Sequence, residues 1–245
     1  MDTCTSGEPS SPVVCVRRPD GGSDDDLPWP TVSAAYLGAA EPWRTFRWYK
    51  GQRHYSGSYW SSVNRDLVIY ESRLELARLL LADFDSSVRH IVAQPFLLKA
   101  KVDGRVRKHI PDFLLITDAG PIVVDVKPRY RLDRPEVAFT FAWTRRLVEA
   151  RNWVYEVFSE PDPGLLENVR LLAGRRRDWL FDAGLLEEIC EAAGDGVSFG
   201  AACRCLPDRP EELVRAALLH LVWARKLTLE LEAPISCDDV LRGVS

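Results

Sequence analysis

The stretch RVRKHIPDFLLITDAGPIVVDVKP (105–128) decides how this chain is read. Its apolar runs FLLI and IVV are short and bounded by Pro and Gly, as buried strands are. Asp112 opens the first run after Pro111, and Asp125 and Lys127 stand two apart at the end of the second. Strand alternation puts those two side chains on one face and Val124 and Val126 on the other. A carboxylate facing inward among valines is costly unless something neutralises it. A divalent cation would do so: Asp112 and Asp125 offer the hard oxygen ligands that magnesium takes, with positions left for water and a phosphate oxygen. Lys127 is placed to hold or help deprotonate that water and to offset phosphate charge.

Outward from this stretch, VRHIVAQPFLLKAKV (88–102) is another strand-like run, and Asp103-Gly104 between it and RVRKHIPDFLLIT (105–117) is a favoured hairpin turn. Upstream, VIYESRLELARLLLADF (68–84) predicts a helix entered from a short strand. Leu74, Ala77, Leu81 and Phe84 recur at helical spacing, and Leu76 and Leu80 widen that face. Glu75, with Glu71 one turn earlier on the same face, can complete a metal sphere directly or through water. Downstream, RPEVAFTFAWTRRLVEARNW (134–153) predicts an amphipathic helix and VYEVFS (154–159) a strand. Helix, three strands, helix, strand is the order of an α/β mixed sheet with helices on its faces. Pro161, Pro163 and Gly164 mark a boundary. Beyond it, helices over 164–174, 178–193, 197–205 and 209–226, followed by LTLELEAPI, have the pattern of a winged-helix-like domain.

Residues 1–42 are rich in Pro, Gly, Ser and Asp without periodicity, which predicts a disordered acidic tail. The segment 43–62 interleaves Arg44, Arg47, Lys50 and Arg53 with Trp43, Trp48, Tyr49, Tyr55, Tyr59 and Trp60. That mixture suits phosphate contacts and base stacking, or these aromatics pack as ordinary strands. The net charge of −4 hides an asymmetry: residues 44–134 hold 17 basic and 10 acidic side chains, a net of +7, between ends of −5 and −6. A basic middle suggests a polyanion partner, with Lys108, Arg129 and Arg131 as further contacts. No apolar run is long enough to span a bilayer, and residues 1–12 have no secretory pattern, so a cytoplasmic protein without a membrane partner is expected. The six cysteines form no C-x-x-C pair and the four histidines no helix-face pair, which argues against a zinc enzyme.

Taken together, Pro111-Asp112 and Asp125-Val126-Lys127 resemble the two motif halves of the PD-(D/E)xK nuclease superfamily, whose core is restriction-endonuclease-like. Within it, YESRLELARLLLADFDSSVRHIVAQP with RKHIPDFLLI and VVDVKP resembles the TnsA-like endonuclease subunit of heteromeric transposases. The family's helix Glu in an S-x-L-E context falls on Ser72–Glu75, which favours Glu75 over Glu71, and its Gln-Pro falls on Gln94-Pro95. The resemblance implies a nuclease domain over 43–160 and a C-terminal domain over 161–245. It implies a catalytic set of Glu75, Asp112, Asp125 and Lys127, supported by Gln94 and Glu71, with Mg as cofactor and Mn able to substitute. Its function would be hydrolysis of the 5′ strand at transposon ends, beside an integrase-type transposase subunit and an AAA+ ATPase regulator met through the C-terminal domain. The C-terminal module could instead bind DNA through a recognition helix. A restriction-type, repair or phage-defence nuclease of the same fold, or a non-catalytic DNA-binding or scaffold relative, are the alternatives.

Overall fold

The computed structural model describes residues 9–44, 55–193 and 196–243. The chain divides into two compact units, Met1–Glu160 and Pro161–Ser245. Among the described residues no helix is long and apolar enough to cross a membrane. The five cysteines described are free thiols.

The first unit holds two four-stranded sheets. One is antiparallel, in the order β2(Ser23–Pro28)-β1(Ser10–Arg17)-β6(Leu97–Val102)-β7(Arg105–His109). The other runs β10(Val154–Phe158)-β9(Gly120–Val126)-β8(Phe113–Thr117)-β5(Val88–Ala93), with β10 parallel to β9 and the other pairs antiparallel. A separate hairpin joins β3(Gly57–Ser61) to β4(Asp66–Tyr70), and the helices are α1(Ala34–Gly38), α2(Arg73–Phe84) and α3(Pro135–Glu149). One apolar cluster unites the sheets: Val14, Leu98 and Ala100 from the first meet Val92, Leu114 and Val123 from the second, with Trp143, Leu147 and Val148 of α3. The sheet with α3 is thus the mixed α/β arrangement expected.

Two expectations are corrected here. Residues 1–42 are not a disordered tail throughout: Ser10–Arg17 pairs with Leu97–Val102, and Val14, Cys15, Val16, Trp29 and Leu37 are buried. The Trp29 indole N–H donates to the Leu147 carbonyl at 2.8 Å. Averaged composition hid a short apolar run and one tryptophan whose burial offsets the ordering entropy. The acidic side chains sit at the rim instead, Asp26 on Lys99 at 3.0 Å. Secondly, 88–102 and 105–117 are not single strands. Each breaks, at Gln94–Phe96 and at Ile110–Asp112, and passes from one sheet to the other. Pro95 and Pro111 cannot donate to a ladder, and Gln94 takes a positive φ of 47°.

Helix α2 begins with a reciprocal cap, a variant of the capping box displaced by one residue. The Ser72 hydroxyl accepts from the Glu75 N–H, and the Glu75 carboxylate accepts from the Glu71 N–H at 2.7 Å. At its other end buried Asp83 accepts from Tyr59 Oη, Ser61 Oγ and the Val63 N–H, at 2.6–2.9 Å, which pins the β3–β4 hairpin to the helix. So Tyr59 packs inside, while Tyr55 lies at the surface under the Arg73 guanidinium.

In the second unit α4(Pro163–Ala173), α5(Ala183–Ala193), α6(Phe199–Ala202) and α7(Glu211–Trp223) precede a pair of two-residue strands, β11(Leu227–Thr228) and β12(Arg242–Gly243). Proline at the first turn and Asp162 as N-cap start α4. Helix α7 is buried from Ala217 to Trp223 and packs with α4, α5 and α6. Only Leu227–Thr228 of LTLELEAPI is strand.

Candidate active site

Both chain crossings between the sheets converge on one cleft of about 430 Å³. Glu75 from α2 and Glu71, which lies just before the helix rather than on its face as expected, line it, with Asp112, Asp125 and Lys127 from the β8–β9 region and Arg44, Lys108 and His109 around them. The four residues that sequence reading placed in the catalytic set therefore share one concavity although they span more than fifty positions.

Local backbone bonds explain the placement. Asp112 lies just before β8, its N–H donating to the Val124 carbonyl at 3.0 Å, and its carboxylate accepts the Val126 N–H at 2.6 Å. Asp125 is 2% exposed in a strand that Val123, Val124 and Val126 bury on both faces. Lys127 lies one residue beyond β9, yet its N–H still donates to the Phe158 carbonyl at 2.9 Å and its carbonyl accepts from Ser159 Oγ. Pro128 ends the ladder there, so alternation carries Lys127 to the side of Asp125.

Gln94, also buried, ties three segments together. Its side chain donates to Glu71 at 2.8 Å and accepts the Arg44 N–H at 2.9 Å, while its own N–H donates to the Asp112 carbonyl at 2.8 Å. Arg44 reaches Glu71 at 3.8 Å. Arg129 and Arg131 follow in an exposed 3-10 turn and do not line the cleft. Arg129 is held by Glu160 instead, which accepts its N–H at 2.9 Å. Arg47, Lys50 and Arg53 lie outside the described residues.

Two site residues were missed by sequence reading. His109 Nε2 stands 2.8 Å from each carboxylate oxygen of Asp125, and the Tyr155 hydroxyl donates to Oδ2 of the same group. Aromatic rings hem the imidazole in, Phe141 at 6.4 Å and Trp143 at 6.2 Å, both edge to face. His109 carried a signal, since it lies three residues before Asp112 in the deciding stretch. Tyr155 carried none, because it reaches Asp125 only through the pairing of β10 with β9.

The electrostatics concentrate negative charge. Burial raises the Asp112 carboxyl well above its ordinary value, and the charges of Asp125 and Glu75 push the same way against the Val126 N–H and Lys127. Burial also raises Glu75, opposed by the Glu71 N–H and the Ser72 hydroxyl. Tyr155 is driven upward by burial and by Asp125, so its phenol stays a proton donor. Glu75, Asp112 and Asp125 beside Lys127 are a donor set whose charge a divalent cation would balance, and their oxygen chemistry fits one. Here protein donors hold each carboxylate, and among the described residues no three His, Cys, Asp or Glu side chains are grouped tightly enough to enclose an ion. An ion at Asp125 would therefore share that carboxylate with His109 and Tyr155.

Residues 85–160 match the family described as TnsA-like endonuclease N terminal, less than a third of the chain's 245 residues. The match bears out the resemblance read from VVDVKP and RKHIPDFLLI and takes in Gln94, His109, Asp112, Asp125, Lys127 and Tyr155. Glu71 and Glu75 lie before it. No curated protein matches the chain.

Proposed function

We propose that the first unit is a metal-dependent DNA endonuclease with a PD-(D/E)xK core, and that the chain is the strand-cutting subunit of a heteromeric transposase acting on the 5′ strand of transposon ends. The observation that carries this reading is the meeting of Glu75, Asp112, Asp125 and Lys127 in one cleft, with all but Glu75 inside the TnsA-like segment. Asp112 and Asp125 would hold a magnesium or manganese ion, with Glu75 reaching it directly or through water. Once bound, the ion supplies Lewis acidity toward a phosphate oxygen and a lowered pKa for a coordinated water. The protein's own part is positional. Lys127 orients the attacking water and offsets phosphate charge, and Asp125 is aimed by Tyr155 and His109. Arg44 and Lys108, at the cleft's rim, would meet flanking phosphates.

The C-terminal unit supports a winged-helix-like reading through its helices and the short antiparallel pair after α7. We assign it a protein partner, an AAA+ ATPase regulator, over DNA, since residues 135–245 are acidic. An integrase-type subunit would complete the machine.

Nicking of an end-containing duplex by the chain and its transposase partner tests this directly. Magnesium- or manganese-dependent cleavage lost in Asp125→Ala and Lys127→Ala, with the fold kept, is expected. Equal cleavage by Asp125→Ala would overturn the assignment. A second reading, a non-catalytic relative, draws on the protein donors that hold every carboxylate. Calorimetry with magnesium and manganese separates the two, since no binding to the wild type would favour the second.

A further inference from the structure

The hairpin β6–β7 leads into the cleft at its open end, where Leu97, Lys108 and His109 line it. It turns through Asp103 and Gly104, both at positive φ (50° and 74°), which makes a tight two-residue connection. Five cations and one carboxylate lie on it: Lys99, Lys101, Arg105, Arg107 and Lys108 against Asp103. The register sets Lys99 directly across from Lys108. Like charges in that position repel and destabilise a ladder. Lys99 is relieved by Asp26 at 3.0 Å. Among the described residues Lys101, Arg105 and Lys108, all exposed, have no carboxylate within ion-pair distance.

Among the described residues strand β7 is also an edge, with no neighbour beyond it in the sheet. Along that edge runs a groove of about 620 Å³, walled by Val106, Arg107 and Lys108 on one side and by Glu136, Phe139 and Thr140 of α3 on the other. The Arg107 guanidinium lies 5.0 Å from the Phe139 ring centre, and its Nε is buried without a hydrogen-bond partner. Lys108 lines both this groove and the carboxylate cleft, and the next residue, His109, touches Asp125. A row of uncompensated cations thus leads along one edge to the acidic site.

We infer that the β6–β7 hairpin is a docking ribbon for duplex DNA, its cations holding phosphates beside the bond cut in the cleft. This deepens the nuclease reading and rests on it. The placement of the cations favours the duplex. Lys99, Lys101 and Lys108 stand on the hairpin face that the core leaves open, and cations spaced along a strand beside the cleft suit the phosphates that flank the bond cut there. Exposed Val106, near the tip, adds an apolar surface of the kind that meets base edges.

Fluorescence anisotropy of a labelled short duplex with the full chain, from about 50 to 200 mM salt, reads the docking without cleavage. Lys101→Ala with Arg105→Ala should weaken binding roughly five-fold and lower the magnitude of the log–log salt slope by about 2. The double variant Arg18→Ala with Arg89→Ala removes the same charge off the ribbon, from cations already paired with Asp20, Asp24 and Asp118, and should change both much less. Equal losses in the two variants, an unchanged affinity in the ribbon variant with an intact circular dichroism spectrum, or no wild-type binding at about 50 mM salt would each overturn the proposal. So would single-stranded DNA bound as tightly as duplex with the same dependence on Lys101 and Arg105. Duplex binding that needs the ribbon, without any magnesium-dependent cleavage, would keep the ribbon and overturn the nuclease instead.

Discussion

The two four-stranded sheets of the first unit share an apolar cluster but treat charge in opposite ways. Sheet β10-β9-β8-β5 draws Asp112 and Asp125 inward, where burial and mutual repulsion raise Asp112. Sheet β2-β1-β6-β7 turns its lysines outward, one on Asp26 and the others facing solvent. An inward carboxylate costs stability and persists only where it has work to do, whereas an outward lysine costs almost nothing. The same two runs of chain feed both sheets, so the outward cations meet the inward carboxylates where Lys108 is followed by His109, which touches Asp125.

The sharpest way to break that contrast is to remove the inward charges. Asp125→Ala and Lys127→Ala should each lower metal-dependent nicking about 10³-fold, the scale of losing a preorganised electrostatic group, measured under single-turnover conditions. The residues that aim Asp125 should matter less. Tyr155→Phe and His109→Ala should each reduce nicking by roughly 10–100-fold and weaken manganese binding in calorimetry, as losses behind a ligand do. Unchanged metal affinity in both would show that Asp125 needs no help to face the ion.

Asp112→Asn should do the opposite to stability and activity. The folded carboxyl titrates well above the ordinary 3.8, so the folded state prefers it protonated. Below that ordinary value the group is neutral folded or unfolded and costs nothing. As pH rises past it toward the raised folded value, ionisation penalises the fold increasingly. The variant should therefore melt a few degrees higher than wild type at neutral pH, about 2–4 °C for each ~1 kcal/mol at this size, with the gap closing in acid, and it should not cut. A neutral-pH melting point below wild type would mean the carboxylate is compensated. On the outward sheet the effects should be smallest: Asp26→Ala, which frees Lys99, should shift stability by less than about 1 kcal/mol in urea titration, since that carboxylate is mostly exposed.

Much of the site was legible before any coordinates. Asp112, Asp125 and Lys127 announce themselves because polar side chains break an apolar run at strand spacing, whereas Glu75 was favoured over Glu71 only through the family's S-x-L-E context. The TnsA-like likeness was read over about 43–159, and the family match covers 85–160, which takes in Asp112, Asp125 and Lys127. Less legible was where each run bends. Gln94 with Pro95, and Pro111, stop a ladder, but alternation alone does not say that the chain then joins another sheet. The ordered N-terminal strand was missed because Val14, Cys15 and Val16 are few among acidic and small residues, and their burial depends on β6, more than eighty positions away.

By itself, then, the sequence determined which side chains carry charge into an apolar setting, because that choice is local: period, turn residues and proline act over a few positions. Only the tertiary structure decided what surrounds them. Tyr155 and His109 on Asp125, Gln94 between Glu71 and Asp112, and the basic edge of β7 beside the cleft all arise from pairings between distant strands. Those pairings are selected by the packing of one apolar core from both sheets and α3, which no short window of residues contains.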